Sequence, residues 1–193
     1  MLGYVFWHRP AEGGAPEPYE RAQDRFHRSL AARPPEGYRG SACFRVAELR
    51  WLADGGPGYE DWYLVDDFGA LGVLRQAAVS AGHRTAHEQA AKRAGDGAGG
   101  LYRLAEGCAA LEHVRVAVWV TVPREQPEEA VAGLLLGDGL DRLRGGLWRR
   151  ELTFGPAPEY CVLGPEPPPG VGPERLADRW RADVQEREAV VVA

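Results

Sequence analysis

The chain has 193 residues, of which 45% are hydrophobic and 26% are charged, and its formal net charge is −5 at pH 7. This length allows one large domain or two small ones, with enough apolar side chains for a packed core. A mildly acidic balance gives no long-range attraction to phosphate backbones, which argues against a nucleic-acid-binding protein.

Cysteine usage and hydropathy point to an ordinary cytoplasmic protein. The three cysteines (Cys43, Cys108 and Cys161) are widely spaced and form no C-x-x-C pair. This spacing argues against a disulfide framework and a structural zinc site, and it favours free thiols in a reducing compartment. No basic segment precedes an apolar run at the N-terminus, and no stretch approaches the roughly 20 apolar residues that span a bilayer. We therefore expect neither a signal peptide nor a membrane partner.

The first half of the chain predicts the order strand, helix, strand, strand, helix, strand. Apolar residues recur at helical spacing between residues 19 and 33, and strict alternation marks the strand at 38–46. In order, the predicted segments are 3–10, 19–33, 38–46, 60–66, 68–80 continued by 83–93, and 101–104. The glycine run at 95–100 lacks the Lys-Ser/Thr of a phosphate loop, which predicts a flexible connector.

The second half repeats this order in shorter form. A valine-rich strand at 114–122 ends at a proline, as the aromatic strand at 3–10 does. The remaining predicted segments are a helix at 127–136 that is broken or kinked towards 144, strands at 147–154 and 159–163, a helix at 173–184, and a strand at 188–192. Two copies of one unit, at residues 1–107 and 108–193, explain the repeated order.

Each β-α-β-β-α-β unit has the ferredoxin-like arrangement, in which both helices cover one face of a four-stranded antiparallel sheet. The chain thereby resembles the dimeric α/β-barrel superfamily, which includes antibiotic-biosynthesis-monooxygenase-like, EthD-like and muconolactone-isomerase-like proteins. The resemblance implies an α+β fold of two tandem ferredoxin-like units that form a barrel-like pseudo-dimer, within one chain or in a homodimer. It also implies a cofactor-independent monooxygenase or isomerase acting on a small aromatic or polyketide-like molecule. The alternative is a non-catalytic ligand-binding or assembly protein of the same fold, or a barrel that side chains fill and that has no site.

Alternation along the strands predicts which side chains face a cavity between the sheets. Valines fill one row of the 114–122 strand and suit the helix-covered face, which leaves Trp119 in the cavity row. Aligning Pro10 with Pro123 places Tyr4, Phe6 and His8 in the matching row. The predicted substrate-binding residues are Tyr4, Phe6, Arg39, Cys43, Arg45, Trp62, Trp119 and Arg149. Aromatic walls with several arginines suit a planar, anionic or polar ligand.

His8 is the candidate catalytic residue, because an imidazole that faces a pocket can act as acid or base. The alternative is a histidine that is hydrogen-bonded near the proline turn. Arg39, Arg45 and Arg149 either hold an anionic group or form structural ion pairs with Glu151, Glu60 or Asp61. Glu60 and Asp61 are adjacent on a strand, so they point to opposite faces and do not form an acid–base pair.

No metal or redox cofactor is expected from the motifs. His83 and His87 lie four residues apart on a predicted helix, but the H-E-x-x-H pattern is missing, so haem or metal ligation there is the weaker alternative. Cys43 is a nucleophile only if a base activates it, and the sequence identifies none.

Overall fold

The computed structural model describes residues 1–52, 55–122, 131–133, 135, 145–153, 156–168 and 181–193. The first half contains β1 (Leu2–Pro10), α1 (Pro16–Ala32), β2 (Tyr38–Val46), β3 (Gly58–Val65), α2 (Phe68–Ala78), α3 (Arg84–Ala91) and β4 (Ala94–Gly107). The second half contains β5 (Val116–Thr121), β6 (Gly146–Thr153), β7 (Tyr160–Gly164), β8 (Arg181–Glu186) and β9 (Glu188–Val192). The predicted elements of the first half are all present, with β4 much longer than expected.

Helix α2 begins at the predicted residue, whereas α1 begins three residues before the predicted Tyr19. Pro16 is the first residue of α1, a position where the missing N–H costs no helical hydrogen bond. Asp67 caps α2, because its side chain accepts a hydrogen bond of 2.9 Å from the Ala70 amide. The buried stripe of α1 consists of Tyr19, Ala22, Gln23, Phe26, His27 and Leu30.

The glycine run in β4 is a strand and not a flexible connector, so that prediction was wrong. A Cβ atom at Gly97 would lie 2.6 Å from the Phe6 ring, and one at Gly99 would lie 3.1 Å from the Tyr4 ring. Strand β1 pairs with β4 along this run, and its bulky rings lie over the positions without side chains. The glycines therefore make room for the aromatic residues of the neighbouring strand.

The second half is confirmed in part. Residues 131–133 and 135 are helical, as predicted, and Val131 and Leu135 are buried against the valines of β5. The predicted helix at 173–184 is wrong at its end, because residues 181–184 belong to strand β8, which pairs with β5. The remainder of these two predicted helices lies outside the described residues.

All nine strands form one antiparallel sheet in the order β8-β5-β7-β6-β4-β1-β3-β2-β9. Its two edge strands, β8 and β9, follow each other in sequence and are separated by the single residue Arg187. One residue can join opposite edges only if the sheet curls until those edges meet. The sheet is therefore a nearly closed barrel, with the helices of the first half on its outer face.

Arg187 crosses into the barrel interior and contacts β3. Its guanidinium donates hydrogen bonds of 3.0 and 2.7 Å to the Glu60 carboxylate, and both side chains are fully buried. Glu60 also accepts hydrogen bonds from the indole N–H groups of Trp7 at 3.0 Å and Trp62 at 2.7 Å. The carboxylate thus has four donors in the apolar interior, which is what a buried charge requires.

Among the described residues, no helix is both long and apolar enough to cross a membrane.

Candidate functional site

The barrel interior is filled by aromatic side chains and is not a cavity. Five tryptophans, Trp7, Trp51, Trp62, Trp119 and Trp148, are at most 9% exposed and belong to one hydrophobic cluster. Their rings pack edge-to-face or tilted, with centroids as close as 5.2 Å. Trp62 and Trp119 face the interior as predicted, but they are part of its packing. The prediction of an open cavity between the sheets is therefore wrong for the part of the barrel that the structure describes.

The facing predicted for β1 is reversed. Val5 and Trp7 point into the barrel, whereas Tyr4 packs on the helix-covered side and Phe6 stacks on His8 at 5.0 Å. The two proline-terminated strands match instead through Trp7 and Trp119, whose rings are 5.5 Å apart in the interior. Aligning the strands on their prolines shifted the pattern by one residue, which moves every side chain to the other face.

The facing predicted for β2 is also reversed, except at Tyr38, which lies on the helix-covered side. Ala42 and Phe44 line the interior, and Ser41 and Cys43 lie beneath α1. A register shift between Tyr38 and Gly40 inserts one residue into the strand. Because of this bulge, the Tyr38 side chain lies on the same side as Ser41 and not on the side of Phe44.

The predicted anion-binding arginines lie on the outside of the molecule. Arg39 forms a two-point ion pair with Asp66 at 2.6 Å, and Arg45 pairs with Glu20 at 2.7 Å and with Glu188. Arg149 is exposed on β6. These arginines therefore do not converge on one ligand, and the partners of Arg39 and Arg45 differ from the acidic residues predicted from the sequence.

Beneath α1, a buried carboxylate lies between two histidines. The Oδ1 atom of Asp61 is 3.1 Å from His8 Nε2 and 3.5 Å from His27 Nε2, and all three side chains are at most 3% exposed. Burial by itself raises the pKa of the Asp61 carboxyl, but the two adjacent imidazoles outweigh burial and hold that pKa below its ordinary value. Asp61 is therefore a buried ionised carboxylate between the sheet and α1, on the opposite side of the sheet from Glu60, as the alternation predicts.

Hydroxyl groups surround this triplet. Tyr63 donates a hydrogen bond of 2.9 Å to Asp61 Oδ2, and the Tyr19 hydroxyl bonds to His8 Nδ1. Ser41 Oγ is 2.7 Å from His27 Nδ1 and accepts a hydrogen bond of 2.7 Å from the Tyr38 hydroxyl. We call this set the Asp61 cluster; it consists of His8, Tyr19, His27, Tyr38, Ser41, Cys43, Asp61 and Tyr63.

One end of the Asp61 cluster reaches a cleft of about 410 Å³. The cleft lies between the end of α1, the start of β2, the segment that joins β4 to β5, and the end of β9. Its lining includes Tyr38, Arg39 and Ser41 together with the apolar side chains of Leu64, Leu111 and Val192. The hydrogen bonds from Tyr38 through Ser41 thus connect a cleft of ligand-binding size to His27, which is 3.5 Å from the buried Asp61 carboxylate.

The remaining sequence candidates contact other groups. Burial, reinforced by the Asp61 charge, raises the pKa of the Cys43 thiol well above its ordinary value, which disfavours a thiolate nucleophile. His83 contacts Ser29 at 3.2 Å, and the His87 ring lies 5.2 Å from the Phe26 ring, so both pack against α1. Burial and the charge of Arg33 lower the pKa of His83.

Sequence reasoning missed most of the Asp61 cluster. A usable signal was present in α1, because His27 and Gln23 occupy positions of its buried stripe that would otherwise be apolar. Asp61 carried a second signal, since it interrupts a strand whose eight residues are all buried. Because a buried ionisable side chain needs a partner, His27 and Asp61 could have been predicted to pair with each other.

No protein-family model matches the chain, and no curated protein is similar to it in sequence. Three solved structures align over nearly the whole chain. A candidate monooxygenase from Fusobacterium nucleatum subsp. nucleatum has a TM-score of 0.63 at 10% identity, with 99% of this chain and 93% of that chain covered. A candidate monooxygenase from Lactobacillus acidophilus has a TM-score of 0.57 at 14% identity, with 100% and 95% covered. An anthrone oxidase-like protein has a TM-score of 0.52 at 10% identity, with 98% and 93% covered. The chain therefore shares the fold of these proteins, and the predicted resemblance is confirmed for the fold.

Proposed function

We propose that the chain is an enzyme that removes a proton from an acidic carbon of a small aromatic molecule bound in the cleft. Cofactor-independent monooxygenases and isomerases share this first step. The observation that carries the proposal is the series that starts with Tyr38 at the cleft, continues by hydrogen bonds through Ser41 to His27, and ends at Asp61, whose Oδ1 atom is 3.5 Å from His27 Nε2. Buried polar groups in such a series are well suited to move a proton away from the substrate.

The donors and acceptors of this series favour transfer inwards. Tyr38 donates to Ser41 Oγ, so the hydroxyl proton of Ser41 can point to His27 Nδ1. His27 Nε2 then carries the N–H, which lies 3.4 Å from the Tyr63 hydroxyl and 3.5 Å from Asp61 Oδ1. When Tyr38 takes a proton from the substrate, its own proton passes to Ser41 and that of Ser41 passes to His27. The negative charge of Asp61 stabilises the imidazolium that forms, as the carboxylate does in a Ser-His-Asp triad.

In this proposal Tyr38 is the catalytic residue that touches the substrate, and Ser41, His27 and Asp61 act through it. Burial raises the pKa of Tyr38, so its phenol stays protonated until the proton moves along the series. His8, predicted from the sequence as the catalytic residue, lies on the far side of Asp61 and has the role of holding that carboxylate. Arg39 lies at the cleft and suits an anionic substituent of the substrate, in competition with Asp66.

The fate of the carbanion distinguishes the two reactions. In the oxygenation, the substrate supplies the electrons, a CH₂ group and O₂ become a C=O group and water, and no redox cofactor is needed. In the isomerisation, the proton returns to a different carbon and no oxygen is consumed. Because one structural neighbour is described as anthrone oxidase-like, anthrone is the first molecule to test, followed by other tricyclic and phenolic compounds.

The test is oxygen uptake and product analysis with this panel. For a compound that is turned over, Tyr38→Phe and His27→Gln are expected to lower kcat by about 10²–10⁴-fold. Arg103→Ala is the matched control, because Arg103 pairs with Glu151 at the exposed surface of β4. Turnover by Tyr38→Phe at the wild-type rate would refute the role of the series, and His8→Ala is expected to lower kcat by weakening the position of Asp61.

A non-catalytic protein of the same fold is the second candidate. The observation that favours it is that tryptophan side chains fill the barrel, so the space between the two halves is occupied by packed side chains and not by a ligand. Binding of a panel compound with unchanged composition after prolonged incubation in air would support this candidate.

We further propose that residues 1–107 and 108–193 are two copies of one unit that pair within a single chain. In the order β4-β1-β3-β2 the first strand of the unit lies between the fourth and the third, and the order β8-β5-β7-β6 repeats that pattern. A monomeric mass in native mass spectrometry is expected if the pairing is internal.

A further inference from the structure

Three side chains that could bind a metal ion converge on the helix-covered side of three adjacent strands. His8, Asp61 and Cys43 come from β1, β3 and β2, and their ligand atoms all lie within 4.8 Å of one another. Cys43 is directly opposite Asp61 in the β2–β3 pairing, and His8 is two residues beyond the β1 partner of Asp61. The sheet therefore fixes all three positions without a contribution from a loop.

Two of the ligand atoms lack an aligned hydrogen-bond partner. His8 Nε2 and Asp61 Oδ1 approach to 3.1 Å, but neither makes a hydrogen bond of acceptable geometry, and both are inaccessible to solvent. Buried polar atoms in folded proteins are nearly always paired. A cation between these two atoms would satisfy both, since each would present a lone pair to it.

The groups behind the ligands are those that usually support a metal site. The other ring nitrogen of His8 is bonded to the Tyr19 hydroxyl, which fixes the orientation of the imidazole. The other carboxylate oxygen of Asp61 accepts a hydrogen bond of 2.9 Å from Tyr63. Hydrogen bonds of this kind orient ligating histidines and carboxylates in metal sites and raise their affinity.

We propose that His8 Nε2, Asp61 Oδ1 and Cys43 Sγ bind a divalent ion of the zinc type. A set of one nitrogen, one oxygen and one sulfur donor suits Zn²⁺ and its substitute Co²⁺, and it does not suit Mg²⁺ or Ca²⁺, which take oxygen ligands. Burial keeps the Cys43 thiol protonated in the absence of metal, and a bound dication would displace that proton.

Metal binding has a consequence for the site described above. Asp61 cannot stabilise an imidazolium at His27 while its charge is committed to a dication. Zn²⁺ is therefore expected to inhibit proton transfer, and this consequence rests on the proposed function, whereas binding itself does not.

The experiment is a Co²⁺ titration followed by absorption spectroscopy, together with Zn²⁺ titration calorimetry. Cys108 is the exposed thiol among the three cysteines, so both titrations use a Cys108→Ser background. We expect one ion per chain and a thiolate-to-cobalt charge-transfer band in the near ultraviolet. Cys43→Ser is expected to abolish the band. His8→Ala is expected to weaken Zn²⁺ binding by at least about 10–100-fold, the range known for weaker perturbations of metal sites.

Cys161→Ser is the matched control, because Cys161 is equally buried but lies in the barrel interior. It is expected to leave the band and the affinity unchanged. The absence of binding, or a band that persists in Cys43→Ser, would overturn the proposal. Circular dichroism of each metal-free variant confirms that it is folded, and His8→Gln replaces His8→Ala if the alanine variant is not. Metal binding without any enzymatic turnover would refute the proposed function alone, and turnover without metal binding would refute the metal site alone.

Discussion

Replacement of Arg187 by alanine is expected to be the most destabilising change on the sheet-closing segment. Arg187 joins the two edge strands and makes a two-point ion pair with Glu60 in the barrel interior. The alanine variant leaves the Glu60 carboxylate buried among tryptophans without a countercharge. A buried charge that loses its partner cannot be solvated, so the folded state pays the desolvation penalty in full.

The expected loss is about 3–5 kcal/mol, the range for removing one partner of a buried ion pair. The lower part of this range applies, because the indole N–H groups of Trp7 and Trp62 still donate to Glu60. The double variant Glu60→Gln with Arg187→Met removes both charges and keeps an oxygen acceptor for the two indoles. It is expected to recover most of the loss and to lie within about 2 kcal/mol of the wild type.

Urea unfolding, followed by circular dichroism and tryptophan fluorescence, measures both variants. Arg103→Ala is the control, because its exposed ion pair with Glu151 is expected to contribute less than about 1 kcal/mol. A loss below about 1 kcal/mol for Arg187→Ala would show that water reaches Glu60 in the folded protein. That result would refute the account of Arg187 and Glu60 as an ion pair closed off from solvent.

Three further changes test the packing, each by thermal or urea unfolding. Gly97→Ala is expected to destabilise the protein by about 1–3 kcal/mol, because the added Cβ would lie 2.6 Å from the Phe6 ring. Its control, Gly72→Ala, has open space in α2 and is expected to stabilise by about 0.5–1 kcal/mol; equal effects at the two sites would contradict this reasoning. Asp67→Ala removes the α2 cap and is expected to cost about 1 kcal/mol, whereas Asp67→Asn is expected to cost much less. Trp119→Ala opens a void among the interior rings and is expected to cost about 3–5 kcal/mol; a loss under about 1 kcal/mol would indicate a loosely filled barrel.

The order of the elements in the first half could be predicted because it depends on local patterns. The stripe of α1 and the alternation of β2 are both written into consecutive residues, and the bounds of β2 were predicted to the residue. The strand in the glycine run could not be predicted locally. Its glycines are explained by the rings of β1, which lie some 90 positions earlier in the sequence.

The side chains of each strand that face the barrel interior were harder to assign. Alternation along a strand divides its side chains into two rows, but it does not identify the row that faces inwards. β3 is buried along its whole length, by the helices on one face and by the closed barrel on the other. With both faces buried, hydrophobicity no longer distinguishes them. The bulge at the start of β2 also places Tyr38 beside Ser41, and the sequence gives no sign of it.

The sequence by itself determined most helices and strands of the first half, the resemblance in fold and the opposite facing of Glu60 and Asp61. These follow from the fixed periods of the helix and the strand, which act over a few neighbouring residues. Only the tertiary structure decided that His8, His27 and Asp61 form one buried cluster and that Arg187 contacts Glu60. Those contacts join residues 34 to 127 positions apart in the chain, and their formation depends on how the whole sheet curls.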